Sequence, residues 1–537
     1  MEQWLETAVR WLLGPELAGA ERPARLWPRW IFLRALGLIY FSAFYSLVFQ
    51  IKGLIGPGGI LPADDYLQAV SAAMHSLRFW YAPTLLWLGV SDHALALLCW
   101  AGMVASLLLV LNLWPRAMLV VAFVCFLSFV SVGQDFSNYQ SDGMLLEAGF
   151  LAFFFAPPGW RPGLGRANPP SRAGRFLLQW EWFRIYFASG VVKLASRDFS
   201  WRHFTAMDDY YQNGPLPTWI GWHVQHFPHW FHASTVFLTL AVELVLAWMF
   251  LLPRRFRIAC FCIVTPFQIA IILSANYTFL NYLVLSLGFL LLDDRLLESI
   301  LPRSIQNLIA GPPAEAAEAP VGPRAVWRRQ WAPVRMVVAG LCFAMIFYAS
   351  TAQLVWEIFP QLQSRWMEKP VRMLAPFRIA NTYGLFAVMT HARYEIEFQG
   401  SLDGHTWIAY PFRYKPQDPH KAPGIYAPYQ PRFEWNLWFA SLESWPHHRF
   451  VIWTEERLLE NEPDVLALFA GNPFGQTPPR RVRTVLYRYW FTDATIKREE
   501  GTWWRRELLG EYAPTLEIQP DGRIAILGFP APQAPPR

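Results

Sequence analysis

The stretch RMVVAGLCFAMIFYAST, Arg335–Thr351, is apolar over the length of a membrane-crossing helix. The sequence beyond it mixes charge, proline and tryptophan in the manner of a folded domain. The division it marks sets the fold class: a polytopic α-helical membrane bundle followed by a C-terminal, extracytoplasmic β-rich (α+β) domain.

Working toward the N-terminus, eight further runs approach the ~20 apolar residues that a spanning helix needs. They are Trp30–Phe49, His93–Trp114, Ala117–Gly133, Met144–Pro157, Phe176–Ala195, Ser234–Leu252, Ile258–Ser274 and Phe279–Leu292. Composition agrees. Only 16% of residues are charged, well under the roughly one quarter of a soluble chain, and 54% are hydrophobic. The net charge of +6 comes from arginines flanking the apolar runs and forms no basic stripe, which argues against a nucleic-acid partner. No secretory leader is expected, because Glu2, Glu6 and Glu16 interrupt the first apolar stretch. All five cysteines (Cys99, Cys125, Cys260, Cys262 and Cys342) fall in apolar runs, so no disulfide framework is expected in the C-terminal domain.

The arginines test the span count. Arg22, Arg25 and Arg29, then Arg116, then Arg161–Arg175, then Arg254, Arg255 and Arg257, then Arg295–Arg335 all fall on one side if there are nine spans. Basic loops stay cytoplasmic, which predicts an N-terminus inside and a C-terminal domain outside. The expected boundaries are a cytoplasmic segment 1–29, a bundle 30–310 of about eight spans, a cytoplasmic linker 311–334, a last span 335–358 and the outer domain 359–537. Within the linker, GPPAEAAEAPVG (Gly311–Gly322) has tether composition. In the outer domain Tyr394–Phe398 alternates as a strand, Asp403–Gly404 marks a hairpin turn and Thr406–Tyr414 gives the return strand. Glu455–Phe469 has helical periodicity, and Val482–Thr492 has that of a long strand.

The hydrogen-bonding signatures cluster in segments assigned to the outer side. In the bundle these are QDFSNYQSDGMLLE (Gln134–Glu147), the stretch Trp180–Pro228, which includes GVVKLASRDFSWRHFTAMDDYYQNGPLP, and ANYTFLN (Ala275–Asn281). In the domain they are NTYGLFAVMT (Asn381–Thr390), EFQGSLDGHTW (Glu397–Trp407), FRYKP (Phe412–Pro416), APYQPRFEWNLWFASL (Ala427–Leu442), RLLENEPDVLALFAGNPF (Arg457–Phe474) and PPRRVRTVLYRYWFTD (Pro478–Asp493). In this order they resemble the lipase maturation factor family. The resemblance implies a membrane protein whose C-terminal domain is lumenal and which helps dimeric lipases fold and assemble. Its implied partners are the bilayer and a secreted lipase or other client protein. The client-facing candidates are Asn381, Tyr383, Gly384, Arg413, Tyr414, Lys415, Gln430, Pro431, Arg432, Trp435 and Trp438. The bundle-face candidates are Asn138, Asp142, Glu147, Trp201, Arg202, Asp208, Tyr210, Asn276 and Tyr277. The abundance of Arg, Ala and Pro points to a high-GC bacterium, with the protein in the inner membrane and the domain periplasmic, where a eukaryote would use the endoplasmic reticulum.

A second string, YFASGVVKLASRDFSW (Tyr186–Trp201), resembles a stretch of the vitamin K-dependent carboxylase superfamily. That resemblance implies an enzyme using Lys193 as base on a quinol or lipid. The plain reading of Lys193 is a lysine snorkelling to the interface, and that of Glu181 and Arg184 is a neutralising i,i+3 pair. His223, His226, His229 and His232 recur every third residue, but Pro228 interrupts the run and neither a carboxylate nor a cysteine completes a metal site. The sequence leaves any cofactor unknown. The aspartates Asp208–Asp209 and Asp293–Asp294 read as capping or salt-bridging residues. No nucleophile elbow, phosphate loop or zinc-protease string occurs. A polar interface is expected between the outer domain and the bundle mouth, with Arg413, Lys415, Arg432 and Glu434 meeting Asp142, Asn276 and Arg202, because such groups are costly to bury unpaired.

Overall fold

A computed structural model of the chain describes residues 25–137, 139–310 and 331–531. The segment before residue 25, Asn138 and the Gly311–Gly322 linker with Arg324, Arg328 and Arg329 lie outside the described residues.

Nine helices stand, among the described residues, where apolar runs were read: α1 (Leu26–Val48), α2 (Asp92–Val110), α3 (Pro115–Val130), α4 (Gln140–Phe155), α5 (Arg172–Ala195), α6 (His229–Leu244), α7 (Arg254–Ser274), α8 (Leu280–Gly288) and α9 (Ala332–Ile358). Five of these segments are long and apolar enough to cross a membrane: α1, α2, α6 with its 3-10 extension to Leu251, α7 and α9. Helices α3 and α8 are apolar but shorter. The remaining two, α4 and α5, are packed inside and carry a cluster of buried ionisable groups, Asp142, Glu147, Glu181, Arg184 and Lys193. In contrast, α2 exposes Leu97, Trp100, Val104 and Leu107, and α9 exposes Val337, Val338 and Leu341. Apolar residues outside and polar ones inside is the arrangement that a hydrocarbon solvent selects, and the chain is an integral membrane protein.

The two ends of the bundle differ. At one end Asp294 accepts the Leu26 and Trp27 amides at the start of α1. Arg29 donates there to the carbonyls of Asn168 and Leu164, and Arg254 pairs with Asp293. The arginine-bearing loops therefore meet at this end. The C-terminal domain sits on the other, where Gln50, just past α1, donates to the Gln430 carbonyl at 2.9 Å. After α9 the chain forms α10 (Arg365–Leu374), which has no buried residue and folds back so that Tyr348 donates to the Met367 carbonyl.

The C-terminal domain is a six-stranded antiparallel sheet with two main helices. Strand β1 (Arg393–Ser401) pairs along its whole length with β3 (Arg481–Phe491), with the short β2 (Ile408–Ala409) outside it. On the other edge of β3 lie β4 (Trp504–Glu511) and β5 (Thr515–Ile518), and β6 (Ile524–Gly528) pairs with β5. Alternation explains how β1 is buried on both faces. Ile396 and Phe398 enter the apolar core beneath α11 (Arg432–Ser441) and α12 (Phe450–Leu459). Their neighbours Glu395 and Glu397 face Lys415 and Arg506.

Two expectations are corrected. The return strand read over Thr406–Tyr414 is a strand only at Ile408–Ala409; the Tyr410 amide still donates to Phe398 of β1 at 2.9 Å, and Pro411 beyond it has no amide to continue the pairing. The helix read over Glu455–Phe469 stops at Leu459 and resumes as one turn, Pro463–Leu466. Asn461 adopts a left-handed φ of 55° between them.

The α12 core contains a carboxyl with a measurable signature. Glu455 is fully buried, accepts the Thr484 hydroxyl and has one oxygen without a partner. Burial holds it protonated well above the usual carboxylate range. The native state then binds a proton that the unfolded chain releases. This stabilisation is complete below about pH 4.5 and declines as pH rises toward the native pKa. Glu455→Gln should abolish that decline, which approaches about 1.4 kcal/mol per pH unit. Thermal midpoints of the two proteins between pH 5 and 8 should therefore diverge with rising pH in favour of the variant. Parallel curves would refute the assignment.

Candidate functional site

The C-terminal domain reaches the bundle through an irregular segment, Asn381–Thr390, laid across the mouth of the helices. Its main chain lacks secondary structure, so its polar groups must be satisfied elsewhere, and the bundle supplies the partners. The Asn381 amide donates to Glu147 at 3.0 Å, and its side chain donates to the Gly143 carbonyl at 3.0 Å. Arg184 donates to the Asn381 carbonyl at 2.8 Å while forming an ion pair with Glu147. Tyr383 donates its hydroxyl to Glu147 at 2.7 Å. Gln140 accepts the Gly384 amide. Further along, the Trp201 indole donates to the Phe386 carbonyl at 3.0 Å, Asp198 accepts the Met389 amide at 2.6 Å and Asn213 donates to Thr390 at 2.8 Å. Gly143 is small for a reason: a Cβ there would lie 2.9 Å from the Asn381 side chain.

Two more anchors flank this segment. Arg432, at the start of α11, forms a two-pronged ion pair with Asp142 of α4 at 2.7 and 2.8 Å and also donates to the Phe136 carbonyl. Both partners are buried. Asn276 accepts the Tyr426 and Ala427 amides at 2.7 and 3.0 Å, and it donates to the Leu216 and Gly424 carbonyls at 3.1 and 2.9 Å. Between the anchors Tyr210, Tyr277 and Trp435 pack around Phe386 in one apolar cluster. Phe386 is held at a left-handed φ of 56°, a strained conformation for a bulky residue.

The structure thus gathers Asp142, Glu147, Trp201, Tyr210, Asn276, Tyr277, Asn381, Tyr383, Gly384, Gln430, Arg432, Trp435 and Trp438 at one interface; Trp438 donates to the Asn213 carbonyl. Others fall away from it. Lys415 is buried inside the domain against Glu395, and Arg413 donates to the Ala467 carbonyl. Tyr414 packs on Tyr426 and Tyr429. Pro431 lines a cleft at the edge of the junction, with Arg413 and Tyr414 on the domain side and Tyr45, Phe49 and Gln50 on the bundle side. Arg202 is exposed and donates to Leu194 instead of reaching the domain, and Asp208 pairs with His229. Gln140, Ser189, Asp198 and Asn213 were missed, because a lone polar residue carries no mark of a partner 177 to 244 residues away.

Lys193 and Arg184 depart from their plain readings. Arg184 pairs across the helices with Glu147 and not with Glu181 one turn back. Lys193 does not snorkel. It is 2% exposed, donates to Glu243 at 2.8 Å and to the Leu385 carbonyl at 3.1 Å, and lies over the Trp201 ring. Among the described residues no group of three histidine, cysteine or carboxylate side chains is placed to hold a metal.

Comparison with known proteins covers both halves. Residues 27–299 match the family model for the lipase maturation factor transmembrane domain, and residues 379–514 match that for the lipase maturation factor C-terminal domain. Lipase maturation factor 1 of Bos taurus is 33% identical over 533 residues, covering 94% of this chain and 92% of its own. Lipase maturation factor 2 of Gallus gallus is 31% identical, covering 95% and 84%. Human lipase maturation factor 2 is also 31% identical, covering 91% and 83%. No solved structure matches. The carboxylase resemblance finds no support in these relatives.

Proposed function

Because this chain belongs to the lipase maturation factor family, we propose that it assists the folding or assembly of a client lipase beside a membrane. The observation that carries the reading is the interface itself. The two regions matched by the family models are tied together by buried ion pairs and main-chain hydrogen bonds, so the C-terminal domain works from a fixed position over the bundle.

By the tendency of basic loops to remain cytoplasmic, the arginine-bearing end faces the cytoplasm and the C-terminal domain faces outward. That side is the periplasm in a bacterial inner membrane and the lumen in an endoplasmic reticulum. Asn381, Tyr383, Arg432 and Trp435 then serve the client indirectly, by holding the domain in place. The contact surface is assigned to apolar residues that the sheet leaves exposed, Leu508 and Leu509 on β4 with Ile526 and Phe529 at β6, in keeping with the use of exposed apolar patches to hold other chains.

The test is co-expression with a dimeric secreted lipase in a host lacking other family members, reading secreted lipase activity. The intact protein should raise it severalfold. Removal of residues 380–537 should return it to background while the bundle still inserts. Equal lipase output with and without the protein would overturn the lipase client.

A further inference from the structure

A cavity of about 350 Å³ lies within the bundle, beneath the Leu385–Phe386 portion of the segment that crosses its mouth. Its origin is in the helix packing. Helix α6 meets α7 through the 3-10 turn Leu246–Leu251 at its far end. Toward the C-terminal domain the two helices part, with Pro266 inside α7 at the level of the gap. Leu238 of α6 and Ile263 of α7 both line the cavity and are exposed on the outer surface of spanning helices. The opening is therefore lateral, toward the hydrocarbon.

The cavity has a polarity gradient. Its deeper wall is apolar, formed by Ile185, Ile263, Phe267 and Val284. Its roof carries the Lys193–Glu243 ion pair. Between them Gln268 donates to the Tyr186 hydroxyl, and Asn281 donates to Gln268, each at 2.7 Å. Two acceptors along this wall have no donor: Glu243 Oε2 and Asn281 Oδ1. Unpaired buried acceptors are costly, and a ligand head bearing O–H groups would supply what they lack. The ion pair sums to zero charge, so an ionic head would stand uncompensated, and a carboxylate head would compete with Glu243 for Lys193. The volume is at the lower end of the roughly 300–1,000 Å³ of small-molecule sites, which accommodates one acyl chain better than two.

We propose that this cavity binds a single-chain, uncharged amphiphile with a hydroxyl head, the chemistry of a monoacylglycerol, entering sideways from the bilayer between α6 and α7. The head lies under Leu385 and the chain runs along Phe267 and Val284.

The experiment is native mass spectrometry of the full-length protein in detergent, titrated separately with 1-monooleoylglycerol, with oleate and with a two-chain phosphatidylglycerol. Monooleoylglycerol should give a saturable one-to-one adduct, at least tenfold tighter than either of the others. Ala270→Trp fills the cavity from α7, and Leu238→Trp fills it from α6. Each should weaken that adduct at least tenfold with the thermal midpoint held near that of the parent protein. Preference for oleate or for phosphatidylglycerol would overturn the assignment, as would monooleoylglycerol binding that survives in both variants.

Discussion

Arg432→Ala should release the C-terminal domain from the bundle. The substitution deletes both prongs of a buried ion pair and leaves Asp142, fully enclosed in α4, without its countercharge. Breaking one side of a buried pair costs about 3–5 kcal/mol, a large fraction of the margin by which any domain is folded. The full-length variant in detergent should show a lower thermal midpoint, rapid protease cleavage between α9 and β1, and loss of lipase-maturing activity. Arg432→Lys should recover little of this, since an ammonium cannot reproduce the two parallel bonds. Asp142→Asn with Arg432→Gln removes both charges and should be milder than either single change. A midpoint unaffected by Arg432→Ala would show that the domain is held by its apolar contacts alone.

Asn276→Asp should be comparably damaging despite differing by one atom. The Asn276 amide nitrogen faces the Leu216 and Gly424 carbonyls while its oxygen receives two amides, so one end must donate and the other accept. A carboxylate serves the accepting end and places a second oxygen against two carbonyls in a buried site. The cost is about 3 kcal/mol or more, because two acceptors lose their donor and a charge is buried at once. Asn276→Ala loses the same bonds without adding charge and should be less severe. Equal behaviour of Asp and Asn at this position, measured by thermal unfolding and by lipase output, would contradict the geometry.

The bundle was legible in the sequence where local composition decides structure. Apolar runs and flanking arginines located nine helices, including α4, whose Asp142 and Glu147 keep it from looking like an ordinary span. The expectation that Asp142 and Asn276 meet the outer domain also came from local reasoning, since such groups need partners. What could not be read was which partner each would find. Arg184 had Glu181 at helical spacing and chose Glu147, 37 residues away, because α4 packs on α5. Lys193 seemed placed to snorkel, but α5 is surrounded by other helices, so its end points at Glu243 and Leu385 instead of headgroups. Strands β4, β5 and β6 escaped notice for a related reason. WRRELLGE, over β4, does not alternate, since this strand is exposed along most of its length and its pairing is imposed by β3. The segment around Tyr383, marked as client-facing, is buried against the bundle, and local sequence does not distinguish an exposed contact surface from a buried fastening.

The interface also orders events in time. Asp142, Glu147, Arg184 and Lys193 enter the bilayer while the ribosome is still hundreds of codons from Arg432 and well short of Asn381. Throughout that interval Asp142 and Glu147 lack the partners that the C-terminal half supplies, and a buried charge without its partner is costly. Synthesis thus runs against assembly: the first helices inserted are the last to be completed. A chain ending before residue 432 would insert with Asp142 lacking its countercharge, so the bundle mouth is complete only once the C-terminal domain has been made.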